Sequence, residues 1–91
     1  MFKKIHLLIS GKVQGVFYRV NAKRKAEELN LKGWVKNALD GKVEILAEGG
    51  EDKLREMIKW CYNGSSVATV DKVEEAWMEA EKKFDKFEIV V

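Results

Sequence analysis

The chain has 91 residues, 46% of them hydrophobic and 35% charged, the make-up of one folded domain over residues 1–91 rather than of a disordered segment. Its 17 basic and 15 acidic side chains are interspersed and leave a formal charge of +2, so the concentrated basic surface that nucleic-acid binding requires is missing and no nucleic-acid partner is expected. The apolar runs are too short to cross a membrane and no signal-peptide core opens the chain, which points to a cytoplasmic protein.

Ile5, Leu7 and Ile9 alternate onto one face and predict a first strand over 5–9. A glycine-containing loop, 11–19, follows it. Ala22, Ala26 and Leu29 then recur at i, i+4 and i+7, with Lys23, Arg24, Lys25, Glu27 and Glu28 turned outward, and predict a helix over about 18–29. Asn30 suits a left-handed stop after it.

Residues 32–38 and 42–48 read as two strands, and Asp40-Gly41 between them marks a hairpin turn, so they are expected to pair antiparallel. Gly49-Gly50 breaks the alternation. Glu51 and Asp52 suit the first turn of a second helix, which carries Leu54, Met57, Ile58 and Cys61 on one face and stops at Asn63-Gly64. A strand from Ala68 to about Met78 and a last one through Phe84, Phe87, Ile89 and Val91 complete the chain. The order β-α-β-β-α-β with an added C-terminal strand predicts an α+β, ferredoxin-like sandwich: an antiparallel sheet covered on one face by two helices.

The chemistry concentrates in two segments. Gly11-Lys12-Val13-Gln14-Gly15-Val16-Phe17-Tyr18-Arg19 leads from the first strand into the first helix, where backbone N–H groups lack helical partners and a guanidinium adds a planar fork matched to phosphate oxygens. Gly15 lets backbone approach a ligand closely, and Gly11 can take dihedrals other residues avoid. Read alone, the glycines can equally shape a turn, with Arg19 a surface residue. The second segment, Gly33-Trp34-Val35-Lys36-Asn37 through Asp40-Gly41 to Glu48-Gly49, places a lone amide, Asn37, at a strand end. First and third strands usually neighbour each other in this fold, which brings the hairpin beside the loop. Asn37 can there hold a water next to an anion, or simply stabilise its own turn.

These two segments resemble the two signature motifs of the acylphosphatase family in residues and in spacing, and the similarity continues more weakly to the end of the chain. The resemblance implies that Arg19, with the amides of Gln14, Gly15, Val16, Phe17, Tyr18 and Arg19 itself, binds the phosphoryl group, and that Asn37 orients the attacking water. It implies metal-free hydrolysis of small acyl phosphates to a carboxylate and inorganic phosphate, with no cofactor. The residues agree with that chemistry. A carboxylate leaves readily, so positioning and charge stabilisation suffice, and no nucleophile–base pair or metal cluster is evident for a harder ester. A monomer is expected. The alternatives are a non-catalytic module of the same fold that binds an anion or a protein, and an RNA-binding sheet, whose aromatic motif is missing.

The chain departs from the family at Leu29-Asn30-Leu31, where leucine-glycine-leucine is usual, and at Gly64-Ser65, where many members have glycine-proline. Both departures are expected to lie away from the cradle. Phe17 occupies a position the family varies and is expected to shape contacts to the acyl part of the substrate. The single histidine, His6, falls on the outer sheet face or in a nearby crevice, with a structural role. Cys61, the single cysteine, reads as a small buried hydrophobe; alone it makes no intrachain disulfide, and with one histidine no zinc site. Trp34, Trp60 and Trp77 are expected to fill the core or cover the sheet. Lysine and glutamate far outnumber the single glutamine, a bias shared with heat-adapted proteins.

Overall fold

The computed structural model describes residues 1–91. Its elements are β1 (Phe2–Lys12), α1 (Tyr18–Glu28), β2 (Lys32–Asn37), β3 (Val43–Gly50), α2 (Glu51–Asn63), β4 (Thr69–Glu79) and β5 (Phe87–Ile89). The strands form one sheet in the order β4-β1-β3-β2-β5. β1 pairs antiparallel with both β3 and β4, and β2 pairs antiparallel with β3. The expected ferredoxin-like arrangement is present, and the added strand β5 joins parallel to β2, through Gly33 opposite Phe87 and Val35 opposite Ile89. The sheet is therefore mixed rather than wholly antiparallel.

Alternation decides which face is buried. Ile5, Leu7 and Ile9 of β1 stand beside Ala47, Ile45 and Val43 of β3, and all six are fully buried. Ala22 and Ala26 of α1 and Leu54, Met57 and Cys61 of α2 close over them, also fully buried. Small alanines let α1 lie close to the sheet. Asn30 takes φ 58, ending α1 in the left-handed conformation that an amide side chain tolerates.

β1 is longer than its apolar alternation, because Lys3, Lys4, Ser10 and Lys12 continue the pairing. Gly11 belongs to this strand and to a bulge against β4, not to the loop. Its φ is +131, and a Cβ there would lie 2.2 Å from the carbonyl oxygen of Thr69. The residue is needed for close approach of two strands.

The chain reaches β5 by crossing from one sheet edge to the other. The carboxylate of Glu48, 2% exposed, secures the crossing by accepting the backbone N–H groups of Glu81 at 2.6 Å and Lys82 at 2.9 Å. A buried carboxylate is tolerable because these two donors replace water. The Lys4 ammonium reaches the Glu81 carboxylate at 2.6 Å, so β5 arrives at a fixed place beside α1.

Candidate active site

β1 runs toward the end of the sheet where β2 finishes and β3 begins, as the pairing of Ile9 with Val43 and of Asn37 with Val43 shows. The loop after β1 and the hairpin after β2 therefore emerge together. Gln14 joins them: its Nε2 donates to the carbonyl oxygens of Ala38 and of Lys42, each at 2.8 Å. The same Lys42 oxygen accepts the Ala38 N–H and closes the hairpin.

In the loop, Gly15 (φ 75) and Phe17 (φ 64) are left-handed, while Val16 between them is not. Alternation of hand turns successive N–H groups toward one concave side, the arrangement that binds anions. A left-handed phenylalanine costs about 1–3 kcal/mol and persists only where its surroundings hold it. Here they do. The Val16 carbonyl accepts the Ser65 hydroxyl at 2.5 Å. The Phe17 carbonyl accepts the Asn21 side-chain amide at 2.8 Å and the Asn21 backbone N–H at 3.2 Å.

Because a trans peptide holds its C=O and N–H on opposite sides, each tied carbonyl also aims a donor. Fixing the Val16 oxygen inward turns the Phe17 N–H outward, and fixing the Phe17 oxygen along α1 turns the Tyr18 N–H away from the helix. Outside the helices and strands no backbone hydrogen bond is donated by residues 13–20. The start of α1 has no side-chain cap and no acidic residue in its first turn, so no side chain of the protein answers these donors.

The Tyr18 side chain anchors this end of the helix. Its hydroxyl donates to the Cys61 carbonyl at 2.8 Å, and its ring meets Trp60 at 5.2 Å between centroids. Burial holds the Tyr18 hydroxyl well above its ordinary pKa and pushes the Cys61 thiol up to about 12. Neither group is a nucleophile or base at neutral pH.

Arg19, at the second position of α1, enters none of the ten ion pairs of the protein. It is the one charged residue lining a cavity of about 300 Å³ shared with Gly15, Phe17 and Tyr18. Gln14 and Val16, expected beside them, do not line that cavity. The Gln14 side chain is spent on the hairpin, and the Val16 side chain is buried. Asn37 lines a separate groove at the hairpin end with His6, Leu8, Lys36 and Ala38, which shares no residue with the Arg19 cavity. By alternation it shares the inner face with Val35, and its buried Oδ1 has no donor from the protein.

Several placements differ from the sequence reading or add to it. Ser65, expected at a distance, lies buried beneath the loop and holds it. Only its departure from the family pattern drew attention to it, since its partner is 49 residues away. Asn21 carried no sequence signal at all. His6 sits on the outer sheet face, where its Nε2 lies 2.6 Å from the Glu44 carboxylate, and Lys36 reaches the same carboxylate at 3.8 Å. Trp60 and Trp77 are partly buried against the core, whereas Trp34 lies under the Lys36 ammonium, 5.1 Å from its ring centre. No group of three or more His, Cys, Asp or Glu side chains is arranged to hold a metal ion.

A family model described as Acylphosphatase matches residues 5–89. The chain belongs to the acylphosphatase family. An acylphosphatase of Marinobacter nauticus is 49% identical over 82 residues, which cover 90% of this chain and 89% of that protein. The crystal structure of acylphosphatase from Bacillus subtilis matches with a TM-score of 0.94 and 35% identity, covering 100% of both chains. A full-length HypF in its phosphate- and nucleotide-bound form matches 100% of this chain with 12% of its own, at a TM-score of 0.91 and 29% identity. As an acylphosphatase the chain is a hydrolase, with acyl phosphates as substrates and phosphate as a product.

Proposed function

We propose that the chain hydrolyses small acyl phosphates without a metal ion, with Arg19 and the N–H groups of residues 14–19 holding the phosphoryl group and Asn37 orienting the water. The observation that carries this reading is the run of N–H donors at the start of α1 without protein acceptors, beside an arginine outside every ion pair. Donors fixed before the substrate arrives stabilise the charge that spreads over the phosphoryl oxygens in the transition state, and need no rearrangement to do so.

The Asn37 Oδ1 accepts a hydrogen from the attacking water and so points an oxygen lone pair at phosphorus. As the new P–O bond forms, the bond between phosphorus and the bridging oxygen breaks. Its electron pair leaves with the carboxylate, and the proton of the water passes to the phosphate product or to solvent. The leaving group is a weak base, so no general acid is required. Tyr18, Cys61 and His6 have no step to perform.

The same reading takes the chain as a cytoplasmic enzyme acting as a monomer; sedimentation of the purified chain tests the monomer. The main test is hydrolysis of benzoyl phosphate with and without EDTA. The expected result is the same rate in both. Decay at the background rate would leave a module that binds anions without turning them over.

A further inference from the structure

The two halves of the proposed site border different cavities, Arg19 one and Asn37 the other, with no residue in common. Hydrolysis needs them at one fixed separation, since a misplacement of about 1 Å can cost on the order of 10²-fold in rate. The cradle side is held by Ser65 at the Val16 carbonyl and by Asn21 at the Phe17 carbonyl. The water side is held less firmly. Pairing of β2 with β3 ends at Asn37 opposite Val43, and beyond it the chain turns in solvent through exposed Leu39 and Asp40 and the left-handed Gly41.

Apart from the two bonds donated by Gln14, no side-chain hydrogen bond or ion pair ties residues 38–42 to another part of the chain, and Lys42 pairs only with Asp40 of the same turn. Both hydrogens of the Gln14 amide are engaged. One meets the Ala38 carbonyl, which fixes the peptide after Ala38. The other meets the Lys42 carbonyl, which also accepts the Ala38 N–H and so fixes the peptide between Asn37 and Ala38. The two peptides that follow Asn37 are therefore pinned to the loop of the cradle. At this surface water can answer either carbonyl, so the bonds add little stability. Only the side chain can set a distance.

We propose that Gln14 is a positioning residue for the hydrolysis, whose side chain sets the place of Asn37 relative to the cradle and thereby the approach of water to phosphorus. The proposal rests on the acyl phosphate reading above, with Asn37 as the holder of the water. The Gln14 N–H remains in the cradle whatever side chain the residue carries, so a substitution here separates the two halves of the site. The anion is gripped as before, while the water loses its aim. The effect falls on kcat and leaves KM and phosphate inhibition in place.

Gln14→Met keeps the length of the side chain and removes both donors. In benzoyl phosphate hydrolysis it should lower kcat about tenfold, with KM and the inhibition constant of inorganic phosphate moving by about twofold or less. Introduced into Asn37→Ala it should change kcat by no more than about twofold, because no held water is left to aim. A merely structural role would cost the same in both backgrounds. Gln14→Ala takes its place if Gln14→Met loses its circular dichroism. In the unligated protein the Asn37 side-chain amide should lose 15N–1H heteronuclear NOE in the same variant, which reads its immobility without turnover. An undiminished kcat in a folded variant, a loss that persists in full with Asn37→Ala, or phosphate inhibition weakened as much as kcat overturns the proposal. If the unaltered protein turns nothing over, the hydrolase reading fails and the NOE decides the rest: a drop leaves Gln14 as the clamp on Asn37, and no change removes it.

Discussion

The two helices of this protein begin in opposite ways. α2 starts with Glu51 and Asp52 in its first turn, so the partial positive charge of its N-terminus is answered by its own side chains. α1 starts with a left-handed phenylalanine, no cap and no acid, and adds Arg19 where α2 has carboxylates. The same backbone feature is thus neutralised in one helix and reinforced in the other. A helix end that only had to be stable would resemble α2. The one that begins at the loop forgoes internal satisfaction, and the protein compensates by tying the surrounding carbonyls through Ser65, Asn21 and Gln14.

Substitutions can break or sharpen this contrast, and they differ in size. Removing the positive charge at the open end, Arg19→Ala, should lower kcat/KM for benzoyl phosphate by about 10³ or more, with inorganic phosphate losing its competitive inhibition. A variant that is folded and fully active would remove Arg19 from the site. Asn37→Ala should cost on the order of 10² to 10³ in kcat while phosphate still inhibits, because the open helix end is untouched. Equal loss of both would place Asn37 in the cradle instead.

Ser65→Ala should have an intermediate effect. It leaves the Val16 carbonyl buried without its donor, which costs about 1–3 kcal/mol of stability, and it frees the peptide that aims the Phe17 N–H. Phosphate inhibition should weaken on the order of tenfold, and Ser65→Thr should restore part of it. A loss of stability with unaltered phosphate inhibition would reduce Ser65 to a structural role. The smallest effect belongs to the satisfied end: Asp52→Asn should lower stability by about 0.3–1 kcal/mol in denaturant titration and leave turnover as it was. If it slowed hydrolysis, the division of labour between the two helix ends would be wrong.

Periodicity made much of this legible. The inward faces of both helices, Ala22 and Ala26 in one and Leu54, Met57 and Cys61 in the other, follow directly from it, and so do all five strands, the last over a longer span than the Phe87–Ile89 it occupies. The cradle was legible because a glycine, an arginine and a strand-to-helix junction coincide in a few residues. What escaped is non-local or concerns the backbone. The ends of β1 carry lysines and a serine that read as solvated flanks, although they keep pairing. β5 is three residues long and takes its place from Glu48 and β2, neither of them its neighbour in sequence. An aromatic residue gives no sign that its backbone is left-handed, so the shape of the loop could not be read at Phe17. The anchor at Ser65 binds a main-chain oxygen, for which any residue would serve, and so leaves no mark at position 16.

The strand order has a consequence for how this enzyme comes into being. β1 lies between β3 and β4, so during synthesis it waits without either neighbour until residues 43–50 and then 69–79 have left the ribosome. The loop that follows β1 is translated before β3 and β4, and the hydroxyl that sets its shape arrives 49 residues later. Pairings between distant segments are slow to form, and a chain halted after α1 has the residues of the cradle without its form. The cradle is made before the strands and the hydroxyl that complete it.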